Sequence, residues 1–290
     1  MTKDNHQSQD VQRLPMVPLR GVLAFPSTVF SFDVGRNKSV AAVDVAMEND
    51  RQLFVVAQRD AVVERPEMKD LYSVGTVVKI RQVLRLPDGA VRVMAEGSSR
   101  GLLLQAEELG NFQNALYLPV EEKAGERSVE ILACMRIIKR MARQLVRARG
   151  EMPATELMQS IDGELDPNAL ADLVAANLLP SLEDKQAVLE CLDTRMRLET
   201  VLQMLGQELR LCELEDKIQQ RVREAMDKAN HDYYLREQIH AIQEELGEED
   251  DEEIVELKKR LAESAIDGEA RDRVERELKR LIRKIGRAHV

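Results

Sequence analysis

The chain has 290 residues, of which 44% are apolar, 32% charged and 3% aromatic, with no Trp. That apolar share excludes wholesale disorder, and the length fits about two domains. The net charge of −10 is unevenly placed: residues 1–120 hold 14 basic and 14 acidic side chains, and residues 121–290 hold 28 and 38. Neither part has the basic face that phosphate neutralisation needs, which argues against a nucleic-acid binder.

Up to residue 120 the pattern is one of strands and turns. Residues 14–19 form a short apolar run with Pro15 and Pro18, which predicts an edge strand. Residues 37–49 carry apolar side chains at 40, 43, 46 and 47, a helical spacing, with Ser39 placed to cap it. Residues 53–57 (LFVVA) read as a strand. Residues 75–86 alternate in their second half, with Ile80, Gln82, Leu84 and Leu86 on one face. Pro87, Asp88 and Gly89 then predict a turn, and residues 90–94 alternate again, so a hairpin is expected. Residues 101–105 read as a further strand. Seven of the nine aromatic residues precede residue 118, consistent with a compact β-rich module.

Beyond residue 120 helices dominate. Residues 127–149 place apolar side chains at 131, 134, 135, 138, 141, 142, 145 and 146, an amphipathic stripe ended by Gly150 and Pro153. Asp166 and Pro167 fit an N-cap followed by the first helical position, and Pro180 stops that helix. Ser181 is expected to cap a long helical pattern running from about 184 to 246, interrupted only by Gly206. Within it Leu211, Leu214, Ile218, Val222 and Ala225, and later Leu235, Ile239, Ile242 and Leu246, step by threes and fours, like a coiled-coil seam. The acidic run at 244–253 is read as a hinge, with an amphipathic helical pair beyond it.

Several candidate sites fail on chemistry. Residues 97–101 (GSSRG) match the G-x-S-x-G hydrolase pattern, but an apolar, strand-like run follows where a helix is required. The expected structure is a turn between strands. None of the 14 glycines precedes a lysine, so no Walker A phosphate loop is present, and the four histidines show no metal-ligand spacing. Cys134, Cys191 and Cys212 lie far apart without a CxxC pair, as free thiols in a reducing compartment would. The N-terminus lacks an apolar signal core and no run approaches about 18 apolar residues, so a cytoplasmic protein without a membrane span is expected. Catalytic, cofactor and metal residues are therefore expected to be absent. What remains are aromatic side chains that serve either as packing or as contacts with polypeptide or a neighbouring subunit: Phe25, Phe30 and Phe32 around Pro26, whose uneven spacing allows some in the core and some exposed, and the Tyr233, Tyr234 pair in the long helix, for which packing is the first reading.

These motifs carry a resemblance. Pro18, Leu19 and Arg20, then Phe25, Pro26, Val34, Gly35, Arg36 and Ser39, resemble the opening of the Lon protease N-terminal domain. So do residues 70–77 (DLYSVGTV), the LPDG turn with Glu96 and Gly97, and Asp184, Lys185 and Gln186 with Leu189 and Glu190. Residues 233–238 (YYLREQ), with Ala241, Ile242, Gln243, Glu245, Leu246 and Gly247, match that family's most specific signature. The resemblance implies an α+β protein: a PUA-like substrate-recognition module at 12–120, a helical bundle and long coiled-coil-like helix at 121–246, and a helical linker at 247–283. After Arg283 the family pattern is lost, and 284–290 reads as a non-native tail. Ser31, where the family often has Pro, and His240, in place of a basic residue, depart from the pattern.

Function follows from the resemblance as expectation. The region would select unfolded or tagged polypeptides and support hexamer assembly, while ATP, Mg and a Ser–Lys peptidase belong to modules this sequence does not contain. Arg36 and Lys38, beside the aromatic loop, join the aromatic residues as expected substrate contacts. Alternatives are a stand-alone unfolded-protein adaptor or holdase, and an RNA-binding PUA-like protein, the latter disfavoured by the neutral β module.

Overall fold

The computed structural model describes residues 10–87, 89–120, 128–150, 154–245, 252–263 and 268–288. The chain divides into two units, Met1–Asp216 and Lys217–Val290. In the first unit, strands β1 (Gln12–Leu19), β2 (Val29–Val34), β3 (Gln52–Ala57), β4 (Val74–Arg85), β5 (Val91–Leu109) and β6 (Phe112–Pro119) form one sheet in the order β2-β5-β4-β3-β1-β6. Pairing of β5 with β6 closes five of them into a ring, and β2 extends from β5 outside it. Helix α1 (Asn37–Glu48) connects β2 to β3. The run LFVVA is buried throughout because its alternate residues serve two cores: Leu53 and Val55 join Val17, Phe32 and the α1 residues Ala42 and Val43, while Phe54 and Val56 join Met16, Leu103 and Tyr117.

Four expectations for this module are corrected. β1 is not an edge strand: residues 12–15 pair antiparallel with β6 and residues 16–19 parallel with β3. Each half is laddered on one flank, which leaves room for Pro15 and Pro18. Ser39 does not cap α1; Arg36 occupies that position and Ser39 is buried in the first turn. In β4 the face predicted from alternation breaks at a register shift between Ile80 and Gln82. Beyond that bulge Val83 turns inward and Leu84 stands 53% exposed. Residues 97–101 form no turn but belong to β5, with a register shift at Ser98, so the strand expected at 101–105 is its continuation. The hairpin itself is as expected: Arg85 pairs with Val91, the Gly89 amide donates to the Leu86 carbonyl at 3.1 Å, and Gly89 has φ 85°. Asp88 lies outside the described residues.

Helices α2 (Val129–Arg149), α3 (Ala154–Gly163), α4 (Pro167–Leu178), α5 (Leu182–Glu190) and the start of α6 (Thr194–Glu245) complete the first unit. The Ser128 hydroxyl caps α2 and Gly150 ends it at φ 65°; Asp166 caps α4 ahead of Pro167. Ser181 caps a helix, but a short one. The long helix starts at Thr194, where the Asp193 carboxylate accepts from the Met196 amide at 2.8 Å. The α2 stripe, α4 and Leu198, Val201 and Leu205 of α6 share one core, and that core also takes in Phe25 and Val74 from the sheet module. The second unit holds the remainder of α6, α7 (Glu252–Glu263) and α8 (Glu269–Ala288). Most of the expected hinge at 244–253 lies outside the described residues.

Candidate functional site

The chain enters β2 through a tight turn. Pro26 at its second position and Ser27 at φ 56° fit a type II turn over residues 25–28, and the Thr28 hydroxyl donates to the Phe25 carbonyl at 2.7 Å. Opposite stands Gly97, where an added Cβ would fall 2.0 Å from the Phe25 oxygen. This close approach, and not nucleophile chemistry, accounts for the first glycine of the hydrolase-like pattern. The last one, Gly101, pairs with Gly75 across the ladder, and both lie against the Phe54 ring, which stacks on Tyr117 at 5.0 Å.

Alternation along β2 then sorts the aromatic residues. Phe32 faces the sheet core, Phe25 is fully buried against the helical core, and Phe30 is half-buried and stacked on Phe32 at 5.5 Å. Phe25 and Phe32 are therefore packing residues, which corrects their reading as surface contacts; Phe30 alone of the three reaches solvent. The outward positions are Val29, Ser31 and Asp33. Register places Val29 beside Glu96, Ser31 beside Met94 and then Gln82, and Asp33 beside Arg92 and then Leu84. Val29, Met94 and Leu84 are 64%, 43% and 53% exposed and share this outer face. Four of the charges on it are paired, Arg92 with Asp33 at 2.8 Å and Arg81 with Glu96, and exposed Lys79 lies in register beyond Glu96. The Arg92 hydrogen bond holds the Asp33 carboxyl below its usual range. Period-two reading of β2 and β5 could have found Val29 and Met94; Leu84 was hidden by the bulge.

The two predicted cations have partners. The half-buried Arg36 guanidinium donates to Gln58 Oε1 at 2.7 Å and to the Val63 carbonyl at 3.0 Å, so it holds the loop after β3. Desolvation pulls its pKa down, with the Arg20 charge acting the same way and Glu64 opposing. Lys38 is exposed and ion-paired to Glu108 of β5, whose carboxyl it holds low through their hydrogen bond. Tyr233 and Tyr234 belong to the second unit, both exposed on α6, with Gln238 donating to the Tyr234 hydroxyl at 3.1 Å. The seam residues Leu211, Leu214, Ile218, Val222, Ile239 and Ile242 are exposed as well.

Behind the outer face β5 is anchored by Arg100, a residue the sequence singled out only as a spacer. It is fully buried, donates to Asp172 Oδ1 at 2.6 Å and to the Leu189 carbonyl at 2.9 Å. Arg197, equally buried, donates to the Cys191 carbonyl at 2.8 Å and approaches Asp172 at 3.8 Å. Among the described residues no group of three or more His, Cys, Asp or Glu is placed to hold a metal ion, and no helix is long and apolar enough to cross a membrane.

A family model described as the ATP-dependent protease La (LON) substrate-binding domain matches residues 13–207. Lon protease of Clostridium acetobutylicum is 39% identical over 278 residues, covering 94% of this chain and 35% of that protein. The Syntrophomonas wolfei Lon protease is 39% identical over 287 residues, covering 97% of this chain and 34% of its own length. The chain thus spans about a third of the length of these relatives. Among solved structures, the N-terminal domain of Mycobacterium avium complex Lon protease superposes with a TM-score of 0.56 at 22% identity, over 67% of this chain and 98% of that one, a likeness of fold.

Proposed function

Because the chain belongs to the Lon protease substrate-binding domain family, we propose that it captures unfolded or tagged polypeptides for an ATP-dependent serine protease of the cytoplasm. The observation that carries this reading is the outer face of β2, β5 and β4, where Val29, Met94 and Leu84 stand exposed and the Asp33, Arg92, Arg81 and Glu96 charges are paired. Such a face attracts apolar side chains and offers little to a charged ligand. Phe30 extends it inward, and Lys38, exposed at the start of α1, would exchange its Glu108 partner for acidic residues of a substrate. Arg36 shapes the neighbouring loop.

In this reading the chain does no chemistry itself. ATP hydrolysis with Mg, and peptide cleavage by a Ser–Lys dyad, are the work of other parts of the whole protein. Self-association into a hexamer multiplies weak contacts into useful avidity, with Tyr233, Tyr234 and the exposed α6 seam as contacts for substrate or for neighbouring subunits.

Fluorescence anisotropy with one small protein, offered native and then reduced and carboxymethylated, tests the proposal. Binding is expected to the unfolded form alone; equal binding to both, or to neither, refutes it. Replacing Met94 and Leu84 together by Ser is expected to weaken that binding about tenfold or more, from the lost apolar contact, with the thermal midpoint nearly unchanged.

A further inference from the structure

Granted that the sheet module binds unfolded polypeptide, we propose that it does so through its main chain: an extended segment adds to the free flank of β2 as one more strand.

The hydrogen bonds at the entrance to β2 set which residues face that flank. The Ser27 amide donates to the Gly97 carbonyl and the Gly97 amide donates to the Thr28 carbonyl, both at 2.9 Å. Ser27 and Thr28 therefore form a bulge opposite Gly97. Counting on from it in twos, Phe30, Phe32 and Val34 exchange bonds with Ala95, Val93 and Val91. The amides and carbonyls of Val29, Ser31 and Asp33 then point away from β5. Among the described residues β5 is the only strand that β2 pairs with, and Val29, Ser31 and Asp33 are all exposed.

This row of alternating donors and acceptors is matched by an extended backbone whose own groups are unpaired. A folded domain has already used those groups, so preference for unfolded chains follows from the main chain alone. The side chains refine the preference. An added strand would set alternate residues beside Val29 on the outer face, where the Asp33 and Glu96 charges are neutralised, and the others beside half-buried Phe30. Both favour apolar residues, and neither imposes a particular sequence. Six residues of strand span only about 20 Å, which suits brief capture.

Residue-resolved amide hydrogen exchange on the full chain, with and without a short synthetic peptide of alternating Val and Thr, tests this. Expected is slowed exchange at Val29, Ser31 and Asp33 and little change at Phe30, Phe32 and Val34. A peptide N-methylated at alternate residues, with side chains intact, is expected to give no such protection. Ser31→Pro removes one outward donor without touching the β5 ladder and is expected to weaken binding about fivefold to tenfold, while Ser31→Ala binds as the parent does. Peptide binding with unchanged exchange at those three amides overturns strand addition and leaves the proposed function standing. No binding of either this peptide or an unfolded protein overturns both. Protection that grows with protein concentration in the absence of peptide assigns the flank to a second copy and also overturns the proposal.

Discussion

At Gly97 the space for a side chain is taken by the Phe25 carbonyl, a backbone atom that cannot swing aside. Gly97→Ala is therefore expected to cost about 3 kcal/mol or more, read from chemical denaturation, whereas Gly110→Ala, with open space around it but φ 63°, pays for backbone strain alone. Asp172 lies between two fully buried guanidiniums, those of Arg100 and Arg197. Asp172→Ala is expected to destabilise by about 3–5 kcal/mol because it leaves buried positive charge without its counterion; a shift of the urea midpoint by less than a quarter of that would contradict the role given to it. Neither residue could be valued from sequence. The glycines advertised a hydrolase motif and Arg100 looked like filler, because close approach and burial are properties of the partner elements, here residues 25–26 and α4.

Among elements, those with local punctuation were legible. Gly150, Asp166 and Pro167 mark the end of α2 and the start of α4 in sequence and in structure, and the Pro87 turn marks the hairpin. The break between α5 and α6 was missed because apolar spacing runs across it; the Asp193 carboxylate on the Met196 amide was the overlooked signal. The bulge in β4 escaped for a different reason: one extra residue between paired strands leaves no mark on either strand alone. Strand β2 has a pH dependence of its own. The Asp33 carboxyl is held low by Arg92, so the stability it lends is full above the ordinary carboxylate range, near about 4, and is lost as pH falls through the lower native value. The urea midpoint of the parent is expected to converge on that of Asp33→Asn between neutral pH and strong acid. A gap that stays constant over this range would remove the ion pair from the account.

Over the whole molecule the order of a β-rich part followed by helices was readable from composition near residue 120, and so was the near-neutral charge of the first part. The identity of the exposed face was not, since Phe25 and Phe32, the obvious aromatic candidates, are packing residues. Charge neutrality has an experimental consequence. Polypeptide capture on this face is expected to change little between about 50 and 200 mM salt, whereas binding through phosphate contacts would weaken by orders of magnitude over that range; a steep fall in anisotropy titrations would favour an ionic ligand. Finally, Phe25 and Val74 sit in the core of the helices, and Gln186 of α5 donates to the Val74 carbonyl at 3.0 Å. The sheet module is thus not portable. A chimera that grafts residues 12–120 onto another protein would carry an apolar wound and a stranded Arg100, so any transplant of its binding face must bring the chain through at least Leu205 along with it.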